Sequence, residues 1–296
     1  MGRRSSFRAK YYQSIVRRAY TTVKPVRMPK QTIVITGASA GIGAGIAMRL
    51  AADGHGLVLA ARRREQLERL AQDAMRRGSP RAIAVETDVT RRRDVDRLRD
   101  AAIDAFGGFD VWINNAGRGI TRSVLDLTDE DVDAMIALNV KSALYGMQAA
   151  VAHFIERGRG HVINVSSFLG RVPLAPHRSA YNAAKAALSA LTANLRVDLR
   201  AHHPSIHVTL VMPGMVATEF GRNAIGSPPD TPVYSGPHVQ SVETVADIVA
   251  RTIDHPVAEV YTNPASADMA RRYFADVDAF ETQGDNPWRP RAPEAR

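Results

Sequence analysis

The sequence contains no cysteine, few aromatic residues and no long apolar run. The lack of cysteine excludes disulfides, thiol nucleophiles and thiolate zinc sites. No uncharged apolar stretch approaches the roughly 18–20 residues that cross a bilayer, so we expect no transmembrane segment. Of the 296 residues, 45% are hydrophobic and 23% are charged, and a chain of this size can bury a core without a stabilising metal ion. We expect no metal site.

Acidic residues are absent from the first 30 positions, which carry nine Lys and Arg residues. The other 30 basic residues match the 30 Asp and Glu residues, so the net charge of +9 belongs to this first segment. The pattern therefore does not favour a nucleic-acid-binding surface on the body of the protein. We predict a flexible basic extension over 1–30 and a cytoplasmic protein. Organelle import, binding to an acidic membrane surface and docking on a partner remain open for this segment.

From residue 31 onward, short β-branched runs alternate with longer segments of helical periodicity, which is typical of βαβ units and a parallel sheet. We predict seven strands, at 32–36, 56–60, 82–86, 111–114, 161–166, 206–212 and 257–261. Helices are predicted at about 41–53, 64–77, 91–106, 128–157, 179–202 and 242–253, with Thr90 and Thr128 as N-caps. The carboxyl ends of such strands meet at one edge of the sheet, where ligands bind.

A glycine-rich segment, TGASAGIG at 36–43, links the first strand to the first helix. Gly37, Gly41 and Gly43 let the backbone turn sharply and approach a pyrophosphate at the helix N-terminus. The spacing is G-x-x-x-G-x-G rather than G-x-G-x-x-G, and alone it also fits an ordinary glycine-rich turn. The preceding strand and following helix favour a dinucleotide site.

The second strand ends in arginines, where an NAD site would carry an acid for the ribose 2′-hydroxyl. Arg62 follows the glycine segment by about twenty residues, and no Asp or Glu occurs there. An arginine in this place can bind a 2′-phosphate with two charge-assisted hydrogen bonds, with Arg63 assisting. The sequence therefore favours NADP(H), although the same arginines also suit the solvated start of a helix.

Further motifs occur in a fixed order along the chain. Asp88-Val89 follows the third strand, the NNAG sequence at 114–117 ends the fourth, and NVSS at 164–167 ends the fifth. ALNV at 137–140 and YNAAK at 181–185 lie in predicted helices, and Pro213-Gly214 follows the sixth strand. Together with the glycine segment, these motifs resemble the short-chain dehydrogenase/reductase family over roughly residues 31–262.

The resemblance implies a catalytic set formed by Asn139, Ser167, Tyr181 and Lys185. It also implies a cofactor site formed by Gly37, Ser39, Ala40, Gly41, Ile42, Gly43, Arg62, Arg63, Asp88, Val89, Asn115, Ala116, Gly117, Tyr181, Lys185, Pro213, Gly214, Val216 and Thr218. Relatives that prefer NADP often add a basic residue where this chain has Ala40. Two other positions depart from the family: the gap between Ser167 and Tyr181 is one residue longer than usual, and Ala184 replaces a frequent serine.

The i,i+4 spacing places Tyr181 and Lys185 on one helical face. A tyrosine that titrates near 10 moves protons poorly at neutral pH, and lowering its pKa to about 7 requires about 4 kcal/mol. We expect the ammonium of Lys185 to contribute to this shift, together with the positive charge of the oxidised nicotinamide. The resemblance implies that Ser167 polarises the substrate oxygen, that Lys185 holds the nicotinamide ribose and that Asn139 positions a water.

We therefore expect an α/β protein with a doubly wound, Rossmann-type seven-stranded parallel sheet in the order 3-2-1-4-5-6-7. The catalytic domain spans 31–262, a proline- and glycine-rich substrate loop spans 213–240, and 263–296 is a C-terminal extension. The expected reaction is NADP(H)-dependent reduction of a carbonyl or oxidation of a secondary alcohol. The apolar residues of the loop suggest a lipophilic substrate. The family resemblance implies homodimers or homotetramers. Alternatives are a non-catalytic NAD(P) sensor, an NAD-dependent dehydrogenase and an epimerase or dehydratase on the same sheet.

Overall fold

Seven parallel strands form one sheet in the computed structural model, which describes residues 31–228 and 230–282. The strands are β1 (Thr32–Thr36), β2 (Gly56–Ala61), β3 (Ala82–Glu86), β4 (Val111–Asn114), β5 (Gly160–Val165), β6 (Ile206–Met212) and β7 (Glu259–Tyr261). Their spatial order is β3-β2-β1-β4-β5-β6-β7. This confirms the predicted strand order and fold class.

Helices cover both faces of the sheet. They are α1 (Gly41–Ala52), α2 (Arg64–Arg77), α3 (Arg92–Phe106), α4 (Asp129–Ile136), α5 (Ser142–Arg157), α6 (Ser179–Arg200), α7 (Val242–Asp254), α8 (Pro264–Ala275) and α9 (Val277–Thr282). The apolar residues of α1, α2 and α7 pack on one face, and those of α3, α5 and α6 pack on the other. No helix among the described residues is long and apolar enough to span a membrane.

The middle of β1 shows why the strands have continuous apolar sequences. Ile33 and Ile35 pack into the α1–α2–α7 layer, while Val34 between them packs into the opposite layer. All three side chains are fully buried. A strand with helices on both faces buries every side chain, so its sequence does not alternate between apolar and polar residues.

The single helix predicted over 128–157 was wrong, because a π-helical turn at Ala137–Lys141 separates α4 from α5. This turn carries Asn139, whose side-chain amide donates to the carbonyl oxygen of Met135, one turn earlier, at 3.2 Å. π-Turns insert one residue into a helix and often occur at functional sites. The wider turn brings Asn139 against the segment that follows β4.

One of the two predicted N-caps is confirmed. The Thr128 hydroxyl accepts from the backbone N–H of Asp131 at 3.2 Å, and the Asp131 carboxylate accepts from the Thr128 N–H at 3.4 Å, which completes a capping box. The prediction for Thr90 was wrong because its hydroxyl donates instead to Asp88 at 2.7 Å, and α3 begins after Arg91.

Two helices follow β7 where no secondary structure was predicted. The Asn263 side chain caps α8 by accepting from the N–H of Ala265 at 3.0 Å, and Pro264 starts the helix. Phe280 of α9 is buried in a cluster with Phe168 and Val172, which follow β5. The C-terminal extension therefore packs beside the catalytic segment. The predicted flexible tail at 1–30 and residues 283–296 lie outside the described part of the chain.

Candidate active site

A cleft of about 1450 Å³ lies at the carboxyl edge of the sheet. Residues that follow β1 to β6 line it. The catalytic and cofactor residues expected from the sequence are brought together there, with two exceptions. Gly43 and Asn139 pack just behind the wall of the cleft. Residues of the loop after β6 also line the cleft. The cleft is thus where an open parallel sheet binds its ligands.

Two glycines of the glycine segment are packed too tightly to accept a side chain. Gly37 has φ +65°, and a Cβ added to it would lie 2.8 Å from the Cα of Ala116. A Cβ on Gly43 would lie 2.4 Å from the carbonyl oxygen of Gly37. The Asn115 amide donates to the carbonyl oxygens of Thr36 and Gly37 at 3.0 and 3.2 Å, so the end of β4 fixes the segment that follows β1.

The N-terminus of α1 is free to bind an anion. Its N-cap residue, Ala40, has no side-chain acceptor, and no acidic residue lies in the first turn. Gly41 and Ile42 of that turn line the cleft. The unpaired N–H groups and the helix dipole suit a phosphate, so the residues present fit the pyrophosphate of a dinucleotide.

Two exposed arginines line the cleft at the end of β2. The guanidinium of Arg63 donates to the Ser39 hydroxyl from Nη2 at 2.9 Å and from Nε at 3.3 Å. Arg62 lies close enough to Asp88 to affect its ionisation. No acidic side chain follows Ala61 directly, so the end of β2 presents positive charge to the cleft.

Asp88 and Val89 line the same end of the cleft. Partial burial would raise the pKa of Asp88, but hydrogen bonds from the Thr90 hydroxyl and N–H, together with the charges of Arg91 and Arg62, hold this pKa below its ordinary value. The carboxylate therefore stays ionised and fixed by Thr90, which leaves the neighbouring backbone of Val89 in a defined place.

Ser167, Tyr181 and Lys185 meet in the buried part of the cleft. Tyr181 and Lys185 lie one turn apart on α6, and the Lys185 ammonium is 5.8 Å from the centre of the Tyr181 ring. Ser167 follows β5, accepts from the N–H of Leu169 at 3.1 Å and hydrogen-bonds the Tyr181 phenol. These side chains are 3 to 7% exposed, so solvent competes little with their hydrogen bonds.

The electrostatics of this cluster differ from the sequence-based expectation. Burial raises the pKa of Tyr181 to about 12, against smaller opposing effects of the hydrogen bond from Ser167 and the charge of Arg178. Burial also lowers the pKa of Lys185 to about 8. The Lys185 ammonium donates to the carbonyl oxygen of Val165 at 3.0 Å and does not acidify the phenol in the protein alone. Tyr181 is therefore protonated at neutral pH.

Asn139 approaches the cluster from the π-turn. Its amide oxygen accepts from the N–H of Arg118 at 3.2 Å, and its amide nitrogen donates to the Arg118 carbonyl oxygen at 3.0 Å. A Cβ on Gly117 would lie 2.8 Å from this amide oxygen and 3.4 Å from the ammonium of Lys185. Asn139 thus fixes the backbone between itself and Lys185.

The start of the loop after β6 packs against both the serine segment and the glycine segment. The Pro213 carbonyl oxygen accepts from the N–H of Phe168 at 2.8 Å. Val216 pairs with Gln240 in an isolated bridge, and the Thr218 methyl group would lie 3.4 Å from a Cβ on Gly41. Gly214 lines the cleft between them.

The rest of the loop covers the end of the cleft that contains Tyr181, the proposed substrate end. The Phe220 ring lies edge-on to the Tyr181 ring, with 5.5 Å between their centres. Backbone hydrogen bonds join Ile225 to Thr121 at 2.8 Å and to Gly119 at 2.9 Å. The hydroxyl groups of Thr121 and Ser227 add a contact of 2.8 Å. The loop is therefore docked on the segment that follows β4.

Sequence reasoning missed four residues that line this end of the cleft: Arg118, Leu169, His177 and Arg178. Arg178 lies three residues before Tyr181, and this i,i+3 spacing was the available signal. His177 has φ +58°, the one positive φ of a non-glycine residue in the described chain. It lies in the Ser167–Tyr181 gap, where the sequence is one residue longer than usual in the family.

Comparisons with known proteins indicate one family. A family model described as short chain dehydrogenase matches residues 31–226. A relative called uncharacterized oxidoreductase YxnA, from Bacillus subtilis (strain 168), is 35% identical over 251 residues, which are 84% of this chain and 70% of that protein.

Two solved structures share the fold. A short-chain dehydrogenase from Sphingobium yanoikuyae in complex with NADPH is 28% identical, with TM-score 0.71 and coverage of 90% of this chain and 99% of that one. A short chain dehydrogenase/reductase from Burkholderia phymatum in complex with NAD is 24% identical, with TM-score 0.76 and coverage of 92% and 100%. The sheet order, the dinucleotide cleft and the matched family model lead to one conclusion: the chain belongs to the short-chain dehydrogenase/reductase family of oxidoreductases.

Proposed function

We propose that the protein catalyses NADP(H)-dependent reduction of a carbonyl or oxidation of a secondary alcohol, with Tyr181 as the proton donor or acceptor. One observation supports this most directly. The buried Ser167–Tyr181–Lys185 cluster opens into the same cleft as the uncapped N-terminus of α1 and the arginines after β2. A hydride carrier bound along this cleft would place its reactive end at the cluster.

The cofactor contacts are assigned along the cleft. The glycine segment with the first turn of α1 would hold the pyrophosphate, Asp88 and Val89 would border the adenine, and Asn115 to Gly117 together with Lys185 would hold the nicotinamide ribose. Pro213, Gly214, Val216 and Thr218 border the nicotinamide. When bound, the nicotinamide supplies or accepts the hydride.

In the reductive direction, Tyr181 acts as an acid. Its phenol is protonated because burial raises its pKa to about 12, and it hydrogen-bonds Ser167. One carbonyl oxygen can accept from both hydroxyl groups, which stabilises the negative charge that develops on it. Tyr181 then gives its proton to that oxygen. In the oxidative direction the phenol must be acidified, which the neighbouring ammonium and the charge of the oxidised cofactor favour.

The proposed preference for NADP(H) rests on Arg62 and Arg63. Both line the cleft beside Ser39. They bring positive charge, and no carboxylate follows β2 to repel a 2′-phosphate. Binding of NAD(H) in preference would contradict this part of the proposal.

The proposed homodimer or homotetramer is supported by exposed apolar side chains on the long helices. Ile155 of α5 is 43% exposed and Val197 of α6 is 66% exposed. An interface between copies would bury them.

The proposed lipophilic substrate is supported by apolar side chains in the cleft. Leu169, Phe220 and Val233 line it near Tyr181.

The test is oxidation of NADPH followed by absorbance across a panel of aldehydes and ketones. Wild-type protein should turn over at least one class, and Tyr181→Phe should lower kcat by about 100-fold or more, the usual contribution of a general acid. Tyr145→Phe, on the α5 surface beside Arg92, is the matched control and should retain activity. Turnover by Tyr181→Phe equal to that of wild-type protein would refute the role of Tyr181 as proton donor. NADPH binding without turnover of any carbonyl would favour a non-catalytic sensor.

A further inference from the structure

The substrate end of the cleft carries positive charge that the proposed reaction does not use. Arg118, His177 and Arg178 line it. Arg178 is half-buried at the N-cap of α6, three residues before Tyr181. Its charge is felt at the Tyr181 phenol. This guanidinium is therefore near the atoms that react.

Within residues 31–228 and 230–282, neither Arg178 nor Arg118 forms an ion pair with a carboxylate, whereas most other arginines of the fold do. Glu219, the acidic residue at this end of the cleft, pairs with Arg222 at 2.8 Å. Arg178 donates only to neutral acceptors, the Ile120 carbonyl oxygen at 3.1 Å and the Tyr234 hydroxyl at 2.7 Å. A half-buried cation without a counter-ion is unfavourable, and a bound anion would remove that cost.

The walls around this charge are apolar. Leu169, Phe220, Val233 and Tyr234 line the cleft beside Arg178, and the Phe220 ring contacts the ring of Tyr181. A ligand that fits this surface has a hydrocarbon body and one charged end. The guanidinium fork matches the planar carboxylate, with which arginine pairs through two parallel hydrogen bonds.

We infer that the substrate is an oxo acid with an aliphatic body, whose carboxylate binds Arg178 while its carbonyl oxygen accepts hydrogen bonds from Ser167 and Tyr181. In the oxidative direction the substrate is the corresponding hydroxy acid. The inference rests on the proposed function. The carboxylate stays unchanged in the reaction: the carbonyl carbon gains the hydride, the carbonyl oxygen gains the Tyr181 proton, and the oxidised cofactor remains.

The test compares oxo acids with their methyl esters, which have the same carbon skeleton without the charge. Aliphatic 2-oxo and 4-oxo acids are assayed with NADPH against wild-type protein and Arg178→Met. Arg178→Met should raise KM for the acid by about 50-fold, because one charge-assisted contact is lost. It should leave kcat/KM for the ester within about threefold of the wild-type value. Comparing acid with ester in each protein cancels differences in the intrinsic reactivity of the carbonyl. Arg178→Lys should restore part of the preference for the acid.

Two control variants separate charge recognition from loop positioning. Arg222→Met removes an exposed arginine of the loop after β6, which pairs with Glu219, and should leave the acid-to-ester ratio of kcat/KM unchanged. Tyr234→Phe removes the hydroxyl bound by Arg178 but keeps the cation, so the ratio of kcat/KM for the acid to that for the ester should persist. If Arg178→Met and Tyr234→Phe weaken acid and ester equally, Arg178 only holds the loop and the inference is wrong.

The outcomes also distinguish this inference from the proposed function. Turnover of neutral ketones with no preference for acids would overturn the inference and leave the proposed function intact. An independent readout is calorimetric titration of the protein–NADP⁺ complex with a saturated carboxylic acid of the same length, which should bind wild-type protein and not Arg178→Met. Lack of any such binding would overturn the inference whatever the turnover.

Discussion

Arg62 and Arg63 are adjacent in sequence but differ in their surroundings. Arg63 is oriented by the Ser39 hydroxyl, whereas Arg62 lies near the carboxylate of Asp88. Oriented guanidinium groups bind phosphate with little further loss of side-chain freedom. Both residues should therefore contribute to NADP(H) binding, with Arg63 already held at the glycine segment.

We expect Arg62→Ala and Arg63→Ala each to raise KM for NADPH by about 20-fold, the value of one charge-assisted phosphate contact, without changing KM for NADH. Steady-state kinetics with both cofactors measure this. Arg64→Ala is the matched control, because Arg64 is exposed, pairs with Glu68 at 2.8 Å and lies outside the cleft wall. An equal rise in KM for NADPH and for NADH would show that Arg62 and Arg63 do not bind the 2′-phosphate.

The sequence could place Tyr181 and Lys185 together because short-range spacing fixes their relative position, while the resemblance to the family supplied their proposed roles. Tyr181 and Lys185 share a helical face whatever the rest of the chain does. Arg178 could not be assigned the same way, since its partner Tyr234 lies 56 residues away in a loop without periodicity. The raised pKa of Tyr181 in the protein without cofactor could not be predicted, because burial depends on packing that the spacing does not reveal.

At the scale of elements, α8 and α9 support the segment that carries Ser167. Phe280 of α9 is 5% exposed and packs with Phe168 and Val172. Leu169, between them in sequence, lines the cleft. The C-terminal helices therefore stabilise one wall of the site from behind.

Phe280→Ala should lower the free energy of unfolding by about 3–5 kcal/mol, because it leaves a cavity in this cluster. Phe274→Ala on α8 is the control: its side chain is 64% exposed, and the change should cost less than about 0.5 kcal/mol. Urea denaturation of both variants measures the difference. Equal stability of the two variants would show that α9 does not pack as described.

The strands were predictable because short continuous apolar runs between turn residues are typical of strands that are buried on both faces. The π-turn was not, since a single inserted residue hardly changes a period of 3.6 over the thirty residues from 128 to 157. α9 was missed because it has only 6 residues, and a helix this short is stabilised mainly by its contacts with the rest of the protein.

At the scale of the whole molecule, a buried histidine links stability to pH. His161 of β5 is 4% exposed and hydrogen-bonds the Thr209 hydroxyl at 2.8 Å. Burial, with a smaller contribution from His207, lowers its pKa to about 3. The unfolded chain takes up this proton near the ordinary value of about 6.5. The native state therefore keeps its full stability above about pH 6.5 and loses it progressively as the pH falls toward 3.

From this residue alone, the free energy of unfolding should fall by about 2 kcal/mol between pH 7 and pH 5. His161→Gln should be less stable at pH 7 but show a smaller fall between the two pH values. His202→Gln, at an exposed position, should behave as wild type. Urea midpoints at both pH values provide the measurement, and an unchanged pH dependence in His161→Gln would contradict the assignment.

The hydrogen bonds of Asn115 to the carbonyl oxygens of Thr36 and Gly37 have a consequence for how such a protein can acquire new substrates. They join the glycine segment, proposed to hold the pyrophosphate, to the end of β4, proposed to hold the nicotinamide ribose, so these two parts of the cleft are tied together. The loop from 213 to 240 also lines the cleft. Pro213, Gly214, Val216 and Thr218 of this loop are the proposed contacts of the nicotinamide. Exchange of residues beyond Thr218 can therefore alter which molecule is accepted without touching those contacts, which makes that part of the loop the natural place for specificity to diverge or to be engineered.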